Sequence, residues 1–301
     1  MAPPPKKALS TFGRLYPPKP HWTPEQILLS KNAKVYMGAR SEAKAKAAID
    51  EIKSKTGKTD IHFLQIDLAD LASVRKAAEE YQSKEQKLHV LFNNGGTMFS
   101  PVDQRTKQGY DGEFGVNLLG PWFFTTLLLP VLTATAKGAP KGTVRVIHNS
   151  SDAEESWSPP EGINWASLER TPEAHKLQEK LGDMKRYGQS KLGNVLFSNE
   201  LARRYGKDGI NSICVHPGAI KTDLQRHTGF FFKKFLECFI LYDIDYGVIT
   251  QLYAGTSEEA ADFNGEYLAA WARRTYPSKN AQDPKLAAKL WSWCEEQTKE
   301  F

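Results

Sequence analysis

Strand and helix follow one another in strict turn along this chain, and that alternation limits the folds open to it more than any other feature. Short apolar runs at 34–38, 61–66, 88–92, 144–148 and 211–215 read as strands, and each leads into a stretch of helical periodicity: 43–53, 71–86, 114–135, 184–205 and 246–254. A last short strand falls at 266–269 and a terminal helix starts at Pro284. The strands are nearly continuous in apolar residues, not alternating, so both faces must be covered. A parallel sheet with helices packed on each side is the expected α/β architecture.

Ligands of such sheets bind beyond the carboxyl ends of the strands. The small and polar residues fall there: Arg40, Asp67 with Leu68, Asn93 to Gly96, Ser150 and Ser151, and 217–222 each follow a strand directly. Any one of these could end a strand for backbone reasons alone. Together they would converge on one rim of the sheet.

The helix at 184–197 carries Tyr187, Gly188, Gln189, Ser190 and Lys191. A spacing of four places the phenol and the ammonium on one helical face. A free phenol ionises near pH ~10 and is a poor acid or base near neutrality. A cation ~5 Å away at an effective dielectric of about 20 contributes about 3 kcal/mol, which predicts a lowered Tyr187 pKa and a group poised for proton transfer.

Composition narrows the class. The 301 residues are 40% hydrophobic, enough for one large domain at 23–301 behind a proline-rich arm at 1–22. Thr23, Pro24 and Gln26 read as the capped start of a helix. The formal charge of +5 is spread over 40 basic and 35 acidic side chains without a long basic run, so no nucleic-acid partner is expected. Cys214, Cys238 and Cys294 are too widely spaced for a disulfide framework or a metal site, which suits a reducing, cytoplasmic setting. The first residues lack the apolar run of a secretory signal, and no stretch approaches the ~20 apolar residues of a membrane span, so a soluble protein is expected. The phenylalanine-rich segment 230–239 is read as a lid over an apolar small-molecule substrate or as a buried helix, in preference to a membrane-surface contact. Tyr242 and Trp271 extend the same apolar theme.

From about residue 30 onward the chain resembles the short-chain dehydrogenase/reductase family, and within it the retinol-dehydrogenase-like branch with many fungal members. The resemblance rests on Asp67-Leu68, Asn93-Asn94-Gly95-Gly96, Asn117, Asn149-Ser150-Ser151, Tyr187 with Lys191, and Pro217-Gly218-Ala219-Ile220-Lys221-Thr222. It implies a Rossmann-like, doubly wound parallel sheet and a nicotinamide cofactor. Tyr187 is then the catalytic acid/base, Lys191 the group that lowers its pKa and binds the nicotinamide ribose, and Ser151 the donor to the substrate oxygen. Asn117 would hold a water that links Lys191 to solvent. Arg40 ends the strand where an arginine accommodates a 2′-phosphate, which favours NADP. Asp67 and Leu68 would meet the adenine, Asn93 its ribose, and Ile220 and Thr222 the carboxamide end.

One part of the family pattern is missing. The first strand, the Thr-Gly-x-x-x-Gly-x-Gly turn and the first helix have no counterpart: Thr56-Gly57 and Thr228-Gly229 are the only Thr-Gly pairs and neither has the spacing. Gly109, Gly112 and Gly115 lead into a helix and read as entry turns. About two dozen residues are absent between Ile27 and Leu28, judged against the ~30-residue size of such a unit. In the strand order 3-2-1-4-5-6 the missing strand is central. Two readings stay open: an NADP-dependent oxidoreductase interconverting an alcohol and a carbonyl, or a catalytically impaired remnant acting, if at all, as a binding protein. No hydrolase elbow or paired-histidine metal motif is present.

Overall fold

The computed structural model describes residues 24–220, 242 and 244–301. The proline-rich arm, the Thr23 cap, the phenylalanine-rich segment 230–239 and Thr222 lie outside the described residues.

The elements come in the expected alternation. They are α1 (Pro24–Ser30), β1 (Val35–Ala39), α2 (Glu42–Thr56), β2 (Ile61–Gln65), α3 (Leu71–Lys84), β3 (Val90–Asn93), α4 (Gly112–Gly138) and β4 (Val144–Asn149). There follow a one-turn α5 (Ala153–Ser156), α6 (Pro172–Tyr205), β5 (Ile210–Val215), α7 (Ile244–Thr256), β6 (Tyr267–Ala269), β7 (Arg273–Thr275) and α8 (Pro284–Thr298). Local chemistry sets the ends. Ser41 caps α2 by accepting from the Lys44 amide, and Gly57 closes it in the left-handed region at φ 65°. Thr171 and Asp283 cap α6 and α8, each followed by proline at the first helical position.

β3, β4, β5 and β6 are parallel neighbours, and β7 adds an antiparallel edge. That edge strand was not legible in the sequence: Arg273-Arg274-Thr275 is polar and largely exposed, so it carries no hydrophobic signal. β5 is buried at all six positions, as a strand covered on both faces must be. On one side Leu118, Leu132, Val146, Leu192 and Leu196 form the main core with Trp291 of α8. On the other, Ile147, Ile213, Val215, Ala254 and Leu268 pack beneath α7.

The sheet is not continuous. β1 and β2 pair in parallel with each other, Val35 opposite Ile61, and no ladder joins them to β3. Leu29, Ile49, Ile52 and Ile61 make a small core of their own, while Leu64 and Ile66 tie β2 to the main one. β3 is only half-buried along its length, as expected of an edge.

Three expectations change in detail. α4 begins at Gly112 and contains a π turn at Gly115–Leu119, where the Gly120 amide bonds the Gly115 carbonyl. The helix expected from residue 184 is the second half of α6, which breaks at Gly182 (φ 73°, ψ 169°). Finally, α4 is in fact long and apolar enough to cross a bilayer by length and composition. Its most apolar window is 67% buried inside the fold, which marks it as a core helix.

Candidate active site

The rim expected from the strand ends exists at β4 and β5. Ser150 is structural: its amide bonds the Val215 carbonyl at 2.7 Å, and its hydroxyl donates to the Lys191 carbonyl at 2.8 Å. Ser151 is half-buried. Its hydroxyl donates to Asp152 Oδ1 at 2.9 Å and accepts from the Ala153 amide at 3.2 Å, and it lies close enough to the Tyr187 phenol to favour its ionised form.

The second half of α6 brings Tyr187 and Lys191 to the same place. Lys191 Nζ stands 5.6 Å from the centroid of the Tyr187 ring and donates to the Asn149 carbonyl at 3.0 Å. Between them in sequence, Gly188 lets the chain at Trp157 and Ser158 lie against the helix. A Cβ there would meet the Trp157 carbonyl carbon at 2.4 Å. Asn194 Nδ2 joins Lys191 on the Asn149 carbonyl at 3.1 Å, so β4 and α6 are locked together beneath the site.

The electrostatics correct the sequence reading. Burial pushes the Tyr187 phenol above its ordinary value; the Ser151 hydroxyl works the other way, and the Glu113 and Asp152 charges add to the rise. Burial also pushes the Lys191 ammonium down to about 8. The expected lowering of Tyr187 assumed a half-solvated pair. In the fold both groups are buried, desolvation opposes charge on either, and the ammonium directs its bond at a backbone carbonyl. The free protein therefore favours a neutral phenol, the form that can donate a proton.

Asn117 sits in the π turn of α4. Its Oδ1 accepts from the Thr97 amide at 2.7 Å, and its Nδ2 donates to the Thr97 carbonyl and to Ser190 Oγ, both at 2.9 Å. Both amide protons are engaged, so this side chain braces the loop after β3 against α6. Gly96 lies between it and the lysine: a Cβ there would stand 3.0 Å from Asn117 Oδ1 and 3.7 Å from Lys191 Nζ.

Sequence reasoning missed a buried ionic cluster behind the site. Arg186, fully buried and adjacent to Tyr187, pairs with Asp111 and Asp183 at 2.8 Å each and donates to the Ser100 carbonyl. Glu113 Oε1 accepts from the Ser100 amide at 2.9 Å. Nothing in the local pattern announced this, because a charged residue in a helix usually reads as a solvated face. Burial, with the Asp111 carboxylate beside it and Arg186 opposing, pushes the Glu113 carboxyl from 4.5 up to about 8. The folded chain thus binds this proton more tightly than the unfolded one, so the associated stability is complete below pH ~4.5 and declines as pH rises toward about 8. Urea unfolding between pH 5 and pH 8 should show wild type losing up to about 1.4 kcal/mol per pH unit relative to Glu113→Gln. Parallel curves for the two proteins would rule out a protonated Glu113.

The residues assigned to the cofactor are less uniformly placed. Asn93 Nδ2 donates to Thr125 Oγ1 at 2.9 Å, Asp67 Oδ1 accepts from the Ala69 amide at 3.0 Å, and Leu68 packs where a Cβ on Gly95 would meet it at 2.8 Å. Ile220 is buried, bridged to Tyr242. Arg40 is exposed, and its guanidinium has no ion-pair partner among the described residues. Near Lys191, Asn149 Oδ1 is buried without a partner and Gly95 is exposed, which suits a ribose and nicotinamide. For the pyrophosphate the fit is poor: among the described residues no glycine-rich turn opens a helix after β1, where Ser41 caps α2 directly.

Known proteins account for this arrangement. The family model described as short chain dehydrogenase matches residues 26–156. A short-chain dehydrogenase/reductase of Armillaria gallica is 44% identical over 316 aligned positions, covering 97% of this chain and 98% of the relative. The chain belongs to the short-chain dehydrogenase/reductase family. In that alignment about two dozen positions occupied in the Armillaria gallica short-chain dehydrogenase/reductase have no residue here. Among solved structures, this dehydrogenase/reductase chain resembles the Pseudomonas aeruginosa RhlG/NADP active-site complex (TM-score 0.61, 20% identity, 87% of this chain and 90% of the other). It likewise resembles the NADPH-bound carbonyl reductase from chicken fatty liver (TM-score 0.59, 19% identity, 82% and 84%). These likenesses establish the Rossmann-like fold.

Proposed function

We propose that the protein is an NADP-dependent oxidoreductase that interconverts an alcohol and a carbonyl through Ser151, Tyr187 and Lys191. The observation that carries this reading is the Tyr187 phenol with Ser151 beside it and the Lys191 ammonium over its ring, at the carboxyl ends of a parallel sheet. Ser151 and Tyr187 hold the carbonyl oxygen; Tyr187 gives it a proton as negative charge develops there. Lys191, already anchored on Asn149, compensates the phenolate left behind. The nicotinamide supplies the hydride when bound. Arg40, exposed and without an ion-pair partner among the described residues, suits a 2′-phosphate. Two cofactor-bound neighbours support the choice by analogy, since their names include NADP and NADPH.

NADPH is expected to raise the melting temperature by several degrees more than NADH, and Arg40→Ala to reduce that difference. Equal shifts in wild type would remove the case for the 2′-phosphate.

A second reading, an impaired remnant of an internally deleted gene, has its own support in the split sheet and the missing two dozen positions. In the order 3-2-1-4-5-6 a strand between β1 and β3 would join the two sheets, and its helix N-terminus would receive the pyrophosphate. Calorimetric titration with NADPH separates the readings: binding in the micromolar range favours the enzyme, none favours the remnant. Recovery of a transcript with the extra segment between Ile27 and Leu28 would remove the second reading's motive.

A further inference from the structure

Three rings close on one another at the mouth of the site. Phe99 lies 6.1 Å from Tyr187 edge-on, Trp157 lies 6.2 Å from Tyr187, and Phe99 and Trp157 are 5.9 Å apart at 35°. Phe99 and Trp157 are half-buried, whereas Tyr187 behind them is only 4% exposed. The two more exposed rings pack directly against that of Tyr187.

Both are held by the backbone in positions that packing alone does not explain. Phe99 adopts φ 55°, in the left-handed region that a bulky aromatic residue seldom enters. Such strain persists only where the surroundings over-determine it, and here they do. Asn117 pins Thr97 on one side, while Glu113 and Arg186 pin the amide and carbonyl of Ser100 on the other. Only Met98 and Phe99 lie between those anchors. Trp157 is fixed from its own side, with its amide on the Ala153 carbonyl at 3.0 Å and its backbone in the space that Gly188 leaves open.

We propose that Phe99 and Trp157 are specificity-determining residues, an aromatic jaw before Tyr187 that selects carbonyl compounds whose reacting carbon is attached to a flat aromatic or conjugated ring. This rests on the oxidoreductase reading above. Carbon faces touch at about 3.5–4 Å, so a flat ring lying between two others needs roughly 7 Å between their centroids. At 5.9 Å the jaw is about 1 Å too narrow for a guest ring, whose entry therefore requires both side chains to rotate on their anchored backbones. A flat ring keeps the ring-to-ring contacts that opening would otherwise lose; a puckered saturated ring is thicker and does not.

The test compares acetophenone with cyclohexyl methyl ketone, which have the same carbon skeleton and differ in flatness. Wild type with NADPH is expected to prefer acetophenone roughly tenfold in kcat/KM, as two aromatic contacts would allow. Phe99→Leu and Trp157→Leu should each remove most of that preference, and Trp157→Phe should keep it. A preference unchanged in both leucine variants, or absent from wild type, overturns the proposal while leaving the oxidoreductase reading intact. Saturation-transfer NMR without cofactor provides an arm independent of turnover. Acetophenone should bind wild type and Trp157→Phe but not the Phe99→Leu/Trp157→Leu double variant. Binding without turnover would count against the oxidoreductase reading and for the jaw; equal binding of both ketones to every variant would overturn the jaw.

Discussion

Tyr187→Phe is expected to lower kcat for carbonyl reduction by ~10²–10⁴-fold, the usual contribution of a positioned acid or base, while the protein stays folded. The argument for separating these two outcomes is structural. The ring makes the packing contacts, with Phe99 and Trp157 on one side and the Lys191 ammonium over its face, and phenylalanine keeps them all. Ser151 is the polar side chain beside the hydroxyl, so its loss costs at most about 1 kcal/mol, the net worth of an ordinary hydrogen bond. What disappears is the proton that meets the developing oxyanion. Steady-state kinetics beside a thermal melt read the two effects separately. Activity retained within a few fold would mean that another group supplies the proton, and the role given to Tyr187 would be wrong.

Arg186→Ala should be the most damaging single change to stability. The guanidinium is fully buried and carries the Asp111 carboxylate, itself 2% exposed, together with the Ser100 carbonyl. Removing one partner of a buried pair leaves a charge with neither water nor a counterion, at a cost of about 3–5 kcal/mol. For a chain of this size that is a fall of roughly 6–15 °C in Tm. Asp183 is exposed and can find water, so the penalty falls on Asp111. Asp111 also caps the first turn of α4 through the Glu113 and Phe114 amides, so the helix that carries Asn117 is strained as well. Arg186→Lys should recover part of the loss, since it keeps the charge without the forked geometry. A melt within 2 °C of wild type for Arg186→Ala would show that the pair is dispensable.

Much of the site was legible because its signals are local. An apolar run of strand length, a capping serine or threonine, and a tyrosine and lysine four apart each declare themselves within a few residues, and the parallel sheet follows from their order. The resemblance pointed to the second of the two serines after β4, and that serine lies beside Tyr187. Less local properties were misjudged. The Tyr187 pKa was expected to fall and instead rises, because the depth of burial around a helical pair is set by α4, α5 and the β3 loop, not by the pair itself. Asn117 braces Thr97 and Ser190, contacts that no local pattern announced.

The sequence alone determined the layered α/β plan and which strand ends would meet, because hydrophobic period and turn chemistry are properties of neighbouring residues. It also shows no Thr-Gly-x-x-x-Gly-x-Gly turn. Only the tertiary structure decided that the sheet divides into two parts, that Arg186 and Glu113 are buried behind the catalytic helix, and that Phe99 and Trp157 stand before Tyr187. Those features join residues as much as 88 positions apart, as from Phe99 to Tyr187, and the free energy that sets them is desolvation. Desolvation depends on everything that packs around a group and is written in no single stretch of chain.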